Sequence, residues 1–162
     1  MENKKELLKY MIFAGVMGIV VGGIDTVFGK GFILIGEIRN KYFWYLIPFL
    51  PIAGIVITWF YYHFNELSLK GMTLVFETGQ QKRDAIPLAL IPLVMICTWI
   101  THLFGGSAGR EGVAVQIGAA VSHTIGKKFE VISGKTEKNG KIFLIMGMAA
   151  GFGGLFQTPL AA

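Results

Sequence analysis

Along the chain, apolar residues gather into long runs divided by short charged connections. A helix needs about 20 mainly apolar residues to cross the hydrocarbon core of a bilayer, and several windows approach that length. The first covers residues 7–28. The second, residues 42–62, contains no Asp, Glu, Lys or Arg and carries aromatic side chains suited to headgroup depth at its ends: Tyr42, Trp44, Trp59, Tyr61 and Tyr62. Pro48 and Pro51 predict a kink near its start. A third window, residues 86–104, is also free of charge, and a fourth, 112–126, is too short to span comfortably. The fifth, from 142 to the end, has a glycine-rich middle of Gly147, Gly151, Gly153 and Gly154, a spacing that fits close helix packing. It stops after Pro159-Leu160-Ala161-Ala162. Proline is favoured at a helix start and nothing continues this one, so the pattern predicts a chain cut short.

Composition supports the bilayer reading. Hydrophobic residues make up 53% and charged residues 15% of the chain, with a mean hydropathy of +0.58, outside the usual range of a soluble domain of this length. The formal net charge of +5 would suit nucleic acid, but the fifteen Lys and Arg lie mostly between the apolar runs, as positive-inside topology requires. No nucleic-acid partner is expected. The first nine residues carry three lysines, yet the apolar run behind them outlasts a secretory signal core and no convincing small-residue cleavage site follows it, which predicts an uncleaved first spanning helix. Cys97 is the single cysteine, so no internal disulfide is possible, and it reads as a small buried hydrophobe. His63, His102 and His123 share no metal-ligand spacing. Neither metal nor cofactor is expected, and with no nucleophile beside a base the chain does not read as an enzyme.

The chemistry concentrates at one place. Between Ala85 and Gly126 the only formally charged residues are the adjacent Arg110 and Glu111, set in Gly105-Gly106-Ser107-Ala108-Gly109-Arg110-Glu111-Gly112. Charge at membrane depth is costly and marks a functional hypothesis. The glycines favour irregular backbone, which a membrane tolerates where it is buried in protein or lines an aqueous cavity. A helical run starts directly after them, so free N–H groups would face that cavity and bind an anion. At such a terminus the ionised Glu111 carboxylate can occupy the anion position, and protonation frees it. A structural Arg110–Glu111 pair or an interfacial loop is the plainer reading. Neither phosphate-loop spacing, GxxxxGK[ST] or GxGxxG, is present. Asp25, the other carboxylate at apparent membrane depth, is expected near the outer end of the first helix, within reach of water.

Gly109-Arg110-Glu111-Gly112 followed by Val113-Ala114-Val115-Gln116-Ile117-Gly118 resembles the CLC chloride channel and transporter signature whose glutamate is the external gate. Downstream, the small-residue stretch 149–155 and Phe156-Gln157-Thr158-Pro159-Leu160-Ala161 resemble the CLC segment of small residues followed by Phe-x-x-Pro-Leu-Ala. The resemblance covers essentially the whole chain. It implies an all-α polytopic membrane protein of CLC fold with broken and half-spanning helices, represented over residues 1–162 by the first of two inverted repeats. It also implies a homodimer in the intact protein, with the remaining anion ligands on a second repeat beyond residue 162.

Two departures set the anion. Chloride-handling members carry an upstream Gly-Ser-Gly-Ile-Pro whose serine hydroxyl meets the central ion, whereas the corresponding region here reads Leu69-Lys70-Gly71-Met72-Thr73-Leu74. A thioether has no hydrogen to donate, so Met72 cannot replace that serine. Val113 stands where proline is usual in chloride members. Methionine at the serine position resembles the bacterial fluoride/proton antiporter branch, although Thr73 offers a neighbouring hydroxyl and an isolated methionine also suits simple packing. The resemblance thus implies fluoride export in exchange for protons, with Glu111 as gate and proton carrier and Gly71, Met72, Thr73, Gly109, Arg110, Gly112 and Val113 around the anion. The alternatives are a chloride/proton exchanger or chloride channel, and, of another class, a non-transporting membrane scaffold that uses its glycines only for packing.

The loop 127–141, with five lysines against two glutamates, is the strongest cytoplasmic marker in what the resemblance makes a bacterial inner-membrane protein. Counting crossings back from it places residues 65–84 and the N-terminus in the cytoplasm and 30–41 outside. Cysteines introduced as Ser133→Cys and Asn40→Cys in a Cys97-free background test this. Position 133 should react with an impermeant thiol reagent from the cytoplasmic side only, and labelling of it from outside alone would invert the scheme.

Overall fold

The computed structural model describes residues 2–83, 85–132 and 140–158, and all the regular structure among them is helical. Helix α1, Glu2–Leu46, is 45 residues long, about 67 Å at 1.5 Å per residue, more than twice a hydrocarbon core. It runs unbroken through residues 30–41, where the charge pattern predicted an outer connection. Lys30, Glu37, Arg39 and Lys41 are good helix formers and no proline intervenes, so polarity alone does not end the helix. The backbone leaves helical geometry at Tyr42, with φ −119° and ψ 21°. A 3-10 turn with Pro48 at its N-terminal end, Ile47–Phe49, then leads into α2, Leu50–Phe64, which carries Pro51 in its first positions. The prolines therefore mark a complete break where a kink was expected.

A second 3-10 turn, Glu66–Lys70, is capped by Asn65, whose Oδ1 accepts the Ser68 N–H at 3.2 Å. After it come α3, Met72–Gly79; α4, Leu90–Leu103; α5, Arg110–Ile132; and α6, Gly140–Phe156. Helix α5 exceeds the expected 112–126 because Lys127 and Lys128 continue it. The lysine-rich loop therefore begins later than predicted, and its central residues 133–139 lie outside the described residues. Helices α2, α3, α4 and α6 have 15, 8, 14 and 17 residues, each shorter than a full crossing. The stretch Leu7–Phe64 is long and apolar enough to cross a bilayer.

Helix direction follows from which residues meet. Phe28 stacks on Trp99 and Phe32 meets His102 edge-on, so α1 and α4 run parallel. Leu50 lies against Gly106 while Phe60 and Phe64 flank Pro92 and Leu93, so α2 returns antiparallel to α4. Phe13 contacts both Phe143 of α6 and Phe129 of α5, with ring centroids at 4.6 and 5.8 Å. This brings the N-terminal part of α1, the C-terminal part of α5 and the start of α6 to one end of the described residues. Phe13, Met17, Val21, Asp25 and Phe28, three or four residues apart, form the buried stripe of α1. Its other faces expose Leu8, Met11, Ile12, Ile19, Val27 and Ile33, an apolar exterior that suits lipid.

The tightest packing joins α5 to α6. A Cβ on Gly118 would collide with the Gly147 carbonyl, one on Gly147 with the Gly118 carbonyl and Ser122, and one on Gly151 with the Ala114 carbonyl. Ala114, Gly118 and Ser122 thus present a small-residue row, four apart, against Gly147 and Gly151. Ser122 Oγ donates to the Phe143 carbonyl across the same seam at 2.6 Å. Of the glycines predicted to pack closely, Gly147 and Gly151 form this seam. Gly154 extends it to α1, because a Cβ there would stand 2.9 Å from Asp25 Oδ2. Asp25 is therefore 5% exposed, correcting the expected water contact: the bare Gly22 and Gly154 let α1 and α6 close over the carboxyl.

The collision at Gly147 is with backbone, which cannot turn aside as a side chain can. Gly147→Ala should lower stability by about 1–3 kcal/mol, seen as earlier thermal unfolding of the purified protein in detergent. Gly15→Ala, with nothing within 4 Å of the new methyl, should be neutral or slightly stabilising. Equal melting temperatures for the two variants would show that α5 and α6 are not locked at this seam.

Candidate functional site

Two helix starts converge here, and each depends on glycine. Before α5, the chain leaves α4 through a Schellman pattern: Gly105 N–H donates to the His102 carbonyl at 3.2 Å and Gly106 N–H to the Thr101 carbonyl at 2.8 Å. Gly105 has φ +85°, open to glycine at little cost. A Cβ on Gly106 would stand 2.8 Å from Thr101 Cγ2, so a side chain there has no room. Residues 106–109 continue as irregular backbone, and α5 opens at Arg110 with Glu111 in its first turn.

The second start is α3. Gly71 has φ +50° and ψ −124°, a conformation suited to glycine, and its carbonyl accepts the Leu74 N–H at 3.1 Å. A clamp holds the segment: Lys70 Nζ contacts Glu77 Oε1 at 2.8 Å and Arg83 Nε contacts Glu77 Oε2 at 2.6 Å. The Lys70 ammonium, and then Arg83, hold the Glu77 carboxyl below the usual carboxylate range. Both partners donate hydrogen bonds to its ionised form.

The helix starts meet around one side chain that sequence reasoning did not select. A Cβ on Gly71 would lie 3.8 Å from both Oε1 and Nε2 of Gln116. A Cβ on Gly112 would lie 3.8 Å from Met72 Cγ and 3.9 Å from Gln116 Nε2. Gly71, Met72 and Gly112, all expected around the anion, are thereby brought together. Val113 is buried beside them in sequence, 4% exposed. Thr73 is exposed, and its hydroxyl is not within 4 Å of where a Cβ on Gly71 or Gly112 would stand. Gly109 is also exposed. Gln116 is 7% exposed and its Oε1 is buried without a hydrogen-bond partner. Its signal in the sequence was that it is the one amide side chain inside the apolar run after the glycines.

Arg110 and Glu111 do not form the structural ion pair considered above. The Arg110 guanidinium lies 5.6 Å from the Phe32 ring centroid, a cation–π contact with α1, and both ion pairs among the described residues belong to Glu77. Glu111 is exposed on the first turn of α5. Arg110 thus contacts α1, and Glu111 makes no ion pair among the described residues. His63 stacks on Trp59 at 4.9 Å, and His102 lies edge-on to Phe32 at 4.3 Å, with its Nδ1 3.0 Å from the Thr98 carbonyl. These two are packing histidines on separate helices.

Comparison with known proteins gives a consistent set of likenesses. A family profile described as voltage gated chloride channel matches residues 53–162. A chloride/fluoride channel protein of Pseudomonas syringae pv. tomato is 30% identical over 155 residues, covering 96% of this chain and 33% of that protein. An uncharacterized protein of Methanocaldococcus jannaschii is 28% identical over 156 residues, covering 96% and 36%. The crystal structure of a CLC-type fluoride/proton antiporter superimposes with a TM-score of 0.88 at 46% sequence identity, covering 96% of this chain and 38% of that one. The chain therefore spans 33% and 36% of the two curated relatives.

The clamp on α3 has a pH signature. Because the folded state holds Glu77 below its ordinary pKa of 4.5, its stabilisation is present above that value and is lost as pH falls through the lower, folded one. Acidification below about 4.5 should raise hydrogen exchange of the α3 amides, and Glu77→Gln should show raised exchange already at neutral pH with little further change. The same exchange in both proteins at neutral pH would show that the clamp does not hold α3.

Proposed function

The chain belongs to the voltage gated chloride channel family, the CLC superfamily of membrane anion-transport proteins, and from that premise we propose that it is the N-terminal repeat of a proton-coupled fluoride exporter. Glu111 is its gate and proton carrier. The observation that carries the reading is the contact of Met72 with the first turn of α5, where its Cγ lies 3.8 Å from the position a Gly112 Cβ would take. A thioether at that point offers bulk and no donor.

Fluoride is small and strongly hydrated, so a site must replace its water with close hydrogen-bond donors. Chloride is larger and held by a looser set. Backbone N–H groups at Gly112 and Val113, at the positive end of α5, supply such donors. Met72 narrows the space against chloride, and obstructing the wrong ion contributes to selectivity as much as attracting the right one. The likeness to a fluoride/proton antiporter at 46% identity supports this choice of ion.

Glu111 supplies the coupling. Ionised, its carboxylate competes with the anion for the same donors. Protonated, it loses that attraction and yields the position, so anion and proton movement alternate at one place. The exposed side chain, free of an Arg110 ion pair, is compatible with such movement. In the same reading the intact protein is a homodimer in a bacterial inner membrane, the second repeat completes the site, as inverted repeats place sites at their interface, and the N-terminus and the 127–141 connection face the cytoplasm.

The test uses the full-length protein containing this chain, reconstituted in liposomes, with fluoride and chloride electrodes and a pH reading. The unmutated protein should move fluoride in exchange for protons. Glu111→Gln should abolish proton movement, leaving anion flux uncoupled or blocked, while Met72→Ser should raise chloride transport relative to fluoride by about tenfold, the effect of roughly 1.4 kcal/mol in selectivity. Chloride moved as readily as fluoride by the unmutated protein would replace this reading with the chloride one. Unchanged proton coupling in Glu111→Gln would remove the gate assignment, and no anion flux at all would favour a scaffold.

A further inference from the structure

Gln116 places a polar side chain between the two helix starts, and hydrophobic burial does not account for it. It sits in α5 between Val113, Ala114, Ile117 and Ala119, all buried and apolar. Its own side chain is more than nine-tenths buried, yet Oε1 has no hydrogen-bond partner. A buried acceptor left unpaired costs free energy that a leucine of similar length would avoid. Both amide atoms are 3.8 Å from the point where a Gly71 Cβ would stand, so the amide presents its polar edge to the turn that opens α3. Nε2 is 3.9 Å from the corresponding point at Gly112, at the opening of α5. These are ordinary contact distances, so the missing side chains of Gly71 and Gly112 leave methyl-sized space beside the amide.

We infer that Gln116 is an anion ligand and a specificity-determining residue of this site, its carboxamide N–H groups completing the donor set for a small, strongly hydrated halide. The inference rests on the anion-site reading above and adds to it a neutral side-chain donor on the second turn of α5. The amide suits the task for three reasons. It carries two N–H donors and cannot ionise, so it does not compete for the proton that Glu111 handles. An amide can reverse its oxygen and nitrogen at little steric cost, so either edge can face the site. Its unpaired Oε1 is then free to accept a hydrogen from a donor accompanying the ion. Because fluoride accepts hydrogen bonds more strongly than chloride, a dedicated donor in a dry site favours fluoride. Met72 obstructs the larger ion from the α3 side, while Gln116 attracts the smaller one from the α5 side.

The inference is tested by calorimetric titration of fluoride and chloride into the full-length protein in detergent, alongside fluxes in liposomes. Gln116→Leu removes both donors and the orphan acceptor while keeping the bulk. It should weaken fluoride binding by about tenfold or more, the effect of losing a hydrogen bond to a charged group, and change chloride binding less. Gln116→Glu keeps the shape and makes the edge titratable, so fluoride affinity should fall reversibly as pH rises and the new carboxyl ionises. Ionised Glu111 already lowers the affinity of the unmutated protein as pH rises, so the deciding readout, should Gln116→Leu fold poorly, is a reversible fall steeper than that of the unmutated protein, which a packing defect does not produce. Fluoride affinity unchanged in both variants, with Met72→Ser still altering selectivity, would make Gln116 a packing residue and leave the fluoride reading intact. An unmutated protein that prefers chloride would instead defeat the fluoride reading. Chloride titrations of the same two variants would then decide whether Gln116 is an anion ligand at all, unchanged chloride affinity overturning it.

Discussion

The contact of α5 with α6, backbone against backbone, fixes the geometry on which the site depends. Carbonyls of Ala114 and Gly118 lie where the side chains of Gly151 and Gly147 would be, so the two helices have no freedom to slide or rotate without collision. In a bilayer the packing of α5 on α6 gains little from the hydrophobic effect, since lipid is as apolar as leucine. Close van der Waals packing and weak Cα–H···O contacts must carry it. The Ser122 to Phe143 hydrogen bond pins the register along the seam. Once α5 is fixed in height and rotation, so is its first turn, and with it Glu111, Gly112 and the side chain of Gln116.

The same logic explains why irregular backbone is concentrated at two places. A glycine conformation unsuited to other residues precedes α3, at Gly71, and another starts the passage to α5, at Gly105. Gly71 lets α3 begin abruptly, while Gly105 ends α4 so that residues 106–109 can lead as irregular backbone into α5. Neither start serves as a site by itself. What distinguishes the pair is that a polar amide and a thioether fill the gap between them, one able to donate and the other only to obstruct.

Much of this was legible in the chain and some was not, for reasons that can be named. The apolar runs pointed to membrane helices, the CLC resemblance implied the all-helical fold, and the candidate site was drawn from one charged pair among glycines together with that resemblance. Glycines at 147 and 151 announced close helix packing, though not that α5 would be the partner. Local sequence failed wherever a tertiary contact decides. Residues 30–41 are charged enough to suggest a loop, yet helix propensity and the Trp99 and His102 contacts on Phe28 and Phe32 carry α1 past them. Asp25 was expected in water because charge prefers it, and the absence of side chains at Gly22 and Gly154 closes over it instead. Gln116 escaped notice because its meaning lies in its approach to Gly71, 45 positions earlier in the chain, and periodicity within α5 carries no trace of that contact.

These contacts close a frame of three helices. Helix α3 faces Gln116 of α5 at its start, through Gly71, and meets Leu144 of α6 at its end, where a Cβ on Gly79 would stand 3.1 Å from Leu144 Cδ2. Helix α6 is locked to α5 along the glycine seam, so each helix is held by the other two. Within the frame lie Met72, Gly112 and Gln116, with Met72 Cγ and Gln116 Nε2 at 3.8 and 3.9 Å from the place a Gly112 Cβ would take. Glu111 stands outside it, exposed on the first turn, while the neighbouring Arg110 spends its charge on the Phe32 ring. Selectivity requires donors that stay in place, because a relaxing site would adapt to the larger ion. Coupling requires one group that moves. In the proposed reading the three-helix frame holds the donors, and Glu111, exposed at its edge beside an Arg110 engaged with the Phe32 ring, is the group that moves.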